Sequence, residues 1–180
     1  MSLAAHKIRG PKGVGALVAR PGVPLSPVLL GGAQERGLRP GTVDPVAASG
    51  FAVAARCAKG SHSRYELVAG LRDELERALL GLFPLARVNG TGPRAPHVTN
   101  LSWPGLSGPE LVAALDLEGV SVSSGSACSA GTSEPSAVLR AMLGDERAAC
   151  AVRISLGDAT TRQEIAEAVK AFARVVARAR

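Results

Sequence analysis

The sequence predicts an α/β fold. Short runs of β-branched residues alternate with helical stretches from Ala86 onward, and Gly- and Pro-rich turns separate them. The hydrophobic fraction is 46% with only 3% aromatic residues, so the core has to be built from Ala, Val and Leu. At 180 residues the chain fits one domain, or a small domain plus part of another.

The elements follow in order. His6 and Lys7 precede the turn Gly10-Pro11-Lys12-Gly13, and Val14 to Ala19 reads as a short strand. Arg20 to Pro40 is rich in Pro and Gly and lacks periodicity, which predicts a long irregular connection. Gly41-Thr42-Val43-Asp44-Pro45 has the form of a helix start, and the helix is expected to run to about Ala58. Ser61 to Leu82 is a second helical stretch carried by Leu67, Leu71, Leu75, Leu79 and Leu82, with a break near Gly60.

Ala86 to Asn89 and Val98 to Trp103 are expected strands. Ser107-Gly108-Pro109-Glu110 has the pattern of a capping box and leads into a helix over Leu111 to Leu117. A strand over Val120 to Ser123, a helix over Pro135 to Leu143 and a strand over Val152 to Leu156 follow. Thr161-Arg162-Gln163-Glu164 is a second capping box. Behind it, Ile165, Val169, Phe172 and Val176 mark one apolar face of a terminal helix.

Composition argues against several function classes. The net charge is +6 and the pI about 9.9, but the arginines are scattered. One Trp and one Tyr leave little to stack on bases, so no nucleic-acid partner is expected. No run approaches the length of a membrane span, and no apolar segment follows His6, Lys7 and Arg9 as in a secretory signal. Cys57, Cys128 and Cys150 form no CxxC pair, and His6, His62 and His97 are dispersed. This argues for a reducing, cytoplasmic location and against a metal site.

The residues that could carry chemistry are few. Ser123 to Gly131 places Cys128 among Ser, Ala and Gly, which prefer turns and form no core. That makes a reachable thiol, or simply a surface loop that holds a cysteine. Lys7 and Lys12 flank a Gly-rich turn suited to a carbonyl-reactive amine or a phosphate cradle, and spacing does not choose between them. Arg153 sits in an apolar strand, which gives a guanidinium a fixed direction for a carboxylate. The plainer reading is a strand-edge Arg paired with a local acid. Cys57 and Cys150 read as small buried hydrophobes, and His62 and His97 as loop residues.

Four segments in order resemble a known family. Ala5-His6-Lys7-Ile8-Arg9-Gly10-Pro11-Lys12-Gly13-Val14-Gly15-Ala16-Leu17 resembles the cofactor-lysine segment of the cysteine desulfurases, NifS/IscS-like enzymes of the class V aminotransferase family. Gly31-Gly32-Ala33-Gln34-Glu35-Arg36 with Gly41-Thr42 resembles the family's Gly-Gly…Gln-Glu…Arg…Gly-Thr motif. Ser124-Gly125-Ser126-Ala127-Cys128 with Glu134-Pro135-Ser136 resembles its long nucleophile loop, and Arg153-Ile154-Ser155-Leu156-Gly157 its substrate-arginine strand.

The resemblance implies the C-terminal part of a fold-type I, pyridoxal 5'-phosphate-dependent transferase. Residues 1–44 would be a remnant of the large cofactor domain, and residues 45–180 an α+β small domain with the cysteine loop. It implies that Lys7 holds the cofactor and shuttles protons at the substrate α-carbon. His6 contacts the phosphate, as does Thr42 from the neighbouring subunit of a homodimer. Arg153 clamps the carboxylate of L-cysteine. Cys128 takes the sulfur as a persulfide, releases L-alanine and passes sulfur to an acceptor protein for iron–sulfur cluster or thiolation pathways. Ala4 stands where the family often has a phosphate-binding Ser. The family's upstream half, which supplies the Asp on the pyridine nitrogen, is expected to lie outside these residues. The alternatives are a selenocysteine lyase or other class V enzyme, and a non-catalytic, partner-binding fragment.

Overall fold

The computed structural model describes residues 1–125 and 135–179, and they form two units, Met1–His62 and Ser63–Arg180. In the first unit, β1 (Ser2–Ala4) pairs antiparallel with β2 (Gly15–Leu17), Ser2 opposite Leu17. A 3-10 turn over Ala5–Ile8 follows β1. The chain then runs irregularly, apart from a short 3-10 turn at Gln34–Gly37, to α1 (Pro45–Lys59). Asp44 caps α1 by accepting from the Val46 and Ala47 N–H groups, and Pro45 supplies a preset φ where no N–H is needed. Gly60 ends α1, in accord with the expected break.

The second unit is built on a three-stranded antiparallel sheet. Its strands are β3 (Arg87–Val88), β4 (Val98–Ser102) and β5 (Ala151–Ser155), in the order β3-β4-β5. The helices are α2 (His62–Leu82), α3 (Gly108–Leu117), α4 (Ala137–Leu143), α5 (Asp145–Ala149) and α6 (Arg162–Arg178). The two-residue alternation of the strands sorts the faces. Leu101, Val152 and Ile154 point into the core with Leu75 and Leu79 of α2, Leu111 and Leu115 of α3 and Phe172 and Val176 of α6. Asn100, Arg153 and Ser155 lie on the opposite face. Trp103 stacks on Phe172 at 5.4 Å and meets Phe83 edge-on at 5.3 Å, so the few aromatics are gathered at one point.

Thr161 and Glu164 form the expected capping box of α6, and its apolar face is buried at Ile165, Phe172 and Val176. The α2 stripe holds at Leu71, Leu75 and Leu79 and departs from expectation at its two ends. Leu67 is 76% exposed and Leu82 is also exposed, whereas Val68 is buried. The buried side continues through Arg72 and Glu76. These charges are admitted because they are paired. Glu76 receives two hydrogen bonds from Arg94, at 2.6 and 3.1 Å, and Arg72 donates to the Ala95 carbonyl.

Other expectations also change. Ser107 makes no side-chain cap on α3. The helix start is instead wedged into place, with the Gly108 Cβ position 2.9 Å from the Ala149 and Ala151 carbonyls. Val120 to Ser123 is not a full strand but one bridge, at Ser123. His62 opens α2, and half-buried His97 packs edge-on against Tyr65. Cys57 is exposed, because α1 buries only Ala54, while Cys150 is buried as expected. β1 and α5 have no counterpart in the sequence reading. Among the described residues, no helix is long and apolar enough to cross a membrane.

Candidate active site

His6 and Lys7 sit side by side and exposed on the turn after β1. The turn is pinned from below. Ala5 is fully buried, its N–H donates to the Val14 carbonyl, and its carbonyl accepts from the Gly10 N–H at 2.8 Å. Arg9 takes a left-handed conformation (φ 66°) to close it. A side chain at Gly10 would come within 3.0 Å of Ala5 and 3.1 Å of Ala54, so only glycine lets the turn lie this close to α1. Lys12 lies further along the same connection. Among the described residues, Lys7 makes no ion pair.

Thr42 is exposed just before the Asp44 cap. The preceding segment is held by its own side chains. Gln34 Oε1 accepts from the Gly41 N–H at 3.1 Å, and Arg39 donates to the Gly41 carbonyl. Glu35 and Arg36 both have positive φ, 49° and 60°, an uncommon conformation for non-glycine residues.

In the second unit, exposed Arg153 lies at the middle of β5. Its backbone N–H donates to the Ser123 carbonyl at 2.6 Å, and the Ser123 N–H donates back at 3.1 Å. The segment that leads to Cys128 is thereby tied to the strand that carries the arginine. Cys128 itself lies outside the described residues. Arg153 has no acid partner among the described residues. On the same sheet face, a connected polar set of Asn89, Asn100, Ser102 and Arg147 went unmarked by the sequence reading. The alternation in Val98-Thr99-Asn100-Leu101-Ser102 carried its signal, since it sets Asn100 and Ser102 on the face away from Leu101.

Residues 1–167 match the family model for class-V aminotransferases, and the chain belongs to that family. Its fold is part of the fold-type I architecture of pyridoxal-phosphate enzymes. Relatives that it matches include cysteine desulfurases. It is 45% identical over 168 residues to a cysteine desulfurase of Cereibacter sphaeroides, covering 92% of this chain and 43% of that protein. It is 40% identical to the cysteine desulfurase NifS of Azotobacter vinelandii, covering 100% of this chain and 46% of that protein. A solved NifS-like protein superposes with a TM-score of 0.83 at 32% identity, over 98% of this chain and 46% of that one. The chain thus spans about half the length of the curated relatives it matches.

Proposed function

We propose that these residues form the C-terminal part of a pyridoxal 5'-phosphate-dependent cysteine desulfurase. The enzyme converts L-cysteine to L-alanine and leaves the sulfur as a persulfide on Cys128. The observation that carries this reading is the main-chain pairing of Ser123 with Arg153, in a chain whose relatives are cysteine desulfurases. It sets the root of the cysteine loop beside a guanidinium suited to hold the substrate carboxylate.

The donor set fits the cofactor. An exposed amine at Lys7 suits its aldehyde, and the His6 imidazole and Thr42 hydroxyl suit its phosphate. When bound, pyridoxal phosphate supplies an electron sink for charge at the substrate α-carbon. Lys7 holds the cofactor and moves protons at that carbon. His6 orients the phosphate, and Thr42 reaches the phosphate of a second subunit in a homodimer. Arg153 fixes the substrate through its carboxylate. The Cys128 thiolate attacks the substrate sulfur, so an S–S bond forms as the C–S bond breaks. The electron pair of the broken bond goes to the substrate carbon, which takes a proton and leaves as alanine. No external oxidant is needed.

In this reading, residues 1–44 belong to the cofactor domain and residues 45–180 to the small domain. The enzyme is cytoplasmic and hands its sulfur to an acceptor protein. Incubation with pyridoxal phosphate, L-cysteine and a thiol reductant tests it. A visible absorbance band lost in Lys7→Ala, with alanine and sulfide formed in equal amounts and sulfide lost in Cys128→Ser, is the expected result. Sulfide release that persists in Cys128→Ser overturns the assignment.

A further inference from the structure

The outer edge of β5 is closed at Arg153 and open at Ser155. The Leu156 N–H donates to the His97 carbonyl and the Trp103 N–H to the Cys150 carbonyl. Alternation then turns the main-chain groups of Val152 and Ile154 toward β4, and those of Arg153 and Ser155 toward the outer side. Arg153 exchanges both of its outer bonds with Ser123. Two residues further, the same antiparallel register sets Ser121 against Ser155. That pair does not form. The N–H and carbonyl of exposed Ser155 have no main-chain partner among the described residues.

Both serines line a cleft of about 620 Å³. That volume lies within the range of pockets that take small ligands, about 300–1,000 Å³. Leu75, Ile154 and Ile165 give the cleft an apolar floor. Its charged lining is Glu118, Glu164, Glu167 and Arg174, three carboxylates against one guanidinium, in a chain whose net charge is +6. Glu118 is met by Arg174 and Arg178, and Glu167 by Lys170. Glu164 has no cation beside it among the described residues. The Thr161 N–H and hydroxyl both donate to its Oε2 and hold the carboxyl below its ordinary pKa, so it is charged at neutral pH. Its Oε1 carries no hydrogen bond among the described residues.

We propose that this cleft binds a short extended segment of a partner protein that carries a Lys or Arg side chain. The segment adds to the open edge of β5 by pairing its main chain with Ser155, and its cation meets Glu164. The open N–H and carbonyl of Ser155 call for a carbonyl and an N–H at strand spacing, which a peptide offers and a simple cation does not. Aliphatic residues on either side of the cation face the other way along an extended chain, and the apolar floor suits them.

The test is a titration of the isotope-labelled full chain with the blocked tripeptide acetyl-Val-Lys-Val-amide, followed by NMR. The Ser155 amide and the Val120 and Ile154 methyl signals are expected to move together with one Kd. The same peptide methylated on the lysine main-chain nitrogen has no N–H for the Ser155 carbonyl. It should bind about tenfold more weakly, the scale of one hydrogen bond. Glu164→Gln keeps the cap with Thr161 but not the charge, and should weaken the peptide about two- to fivefold. Ser155→Pro removes an N–H that bonds nothing in the sheet, so the edge tolerates it while peptide binding is lost. If the Ser155 amide stays put, or the methylated peptide binds as tightly, the proposal is overturned. It is overturned too if n-butylammonium moves the same signals with the Kd of the peptide, for the cleft is then a cation site only.

Discussion

Ser123 and Arg153 exchange both of their main-chain hydrogen bonds, the only bridge that the segment after α3 makes to the sheet among the described residues. Sequence positions thirty apart are thereby coupled at the backbone, so displacing either segment disturbs the other. Ser123→Pro removes the N–H that the Arg153 carbonyl accepts, and with that half of the bridge gone the remaining bond from the Arg153 N–H to the carbonyl at position 123 opens more readily. The Arg153 amide should then exchange with solvent about tenfold faster, the scale of one net hydrogen bond. Hydrogen-exchange NMR reads this directly, with Leu101 and Val152 amides as unaffected references.

The aromatic junction of Phe83, Trp103 and Phe172 should dominate the stability of the second unit. Phe172 is fully buried and stacks on Trp103. Phe172→Ala should cost about 3–5 kcal/mol, because the cavity opens where two helices and the sheet meet. Urea unfolding followed by Trp103 fluorescence measures it, and an effect below about 1 kcal/mol would contradict the packing.

Glu76 gives this unit a dependence on acid. Burial raises the pKa of its carboxyl, but the hydrogen bonds from Arg94 and the charges of Arg94 and Arg72 outweigh burial and hold it below the ordinary 4.5. The folded chain therefore releases this proton more readily than the unfolded chain. The stabilisation is complete above the unfolded carboxylate pKa and is lost as pH falls through the lower, folded one. Stability should drop over that acid window in the wild type and drop less in Glu76→Gln. Thermal unfolding at stepped pH compares the two.

The cysteines should separate by reactivity. In a Cys128→Ser background, exposed Cys57 should react rapidly with a colorimetric disulfide reagent. Buried Cys150, whose thiol donates to the Arg147 carbonyl at 3.4 Å, should react only as the fold opens. Equal rates at both positions would contradict this burial.

At the start of α6, the Thr161 hydroxyl accepts from the Glu164 N–H, and the Thr161 N–H donates to the Glu164 carboxylate in return. Thr161→Ala should cost about 1 kcal/mol, seen as a lower midpoint in urea with an unchanged slope.

The features legible in the sequence are those that local chemistry decides. The Thr161 box and the apolar stripe behind it lie within a few residues of one another, and so do the Asp44-Pro45 helix start and the break at Gly60. What escaped is decided at a distance. Glu76 can be buried because Arg94 reaches it from outside α2, and Arg72 because the Ala95 carbonyl receives it, so a stripe read from leucines alone finds Leu75 and Leu79 but misses the charged part of the buried face. Cys57 lies among alanines, which give no amphipathic signal to orient α1. At the candidate site, Lys7, His6 and Arg153 stand in local motifs, whereas the polar set on the β4 face depends on Arg147, 58 residues from Asn89.

The first unit carries a thermodynamic debt. Ala5 and Ala54 are its only buried apolar side chains among the described residues, while Val28 and Leu30 are 95% and 90% exposed. Ordering each backbone residue costs about 1–2 kcal/mol, far more in total than two buried methyl groups return. With so little apolar burial, the turn that presents Lys7 keeps its shape chiefly through main-chain hydrogen bonds such as Ala5 to Val14 and Gly10 to Ala5, so a break in that short ladder is what would release it.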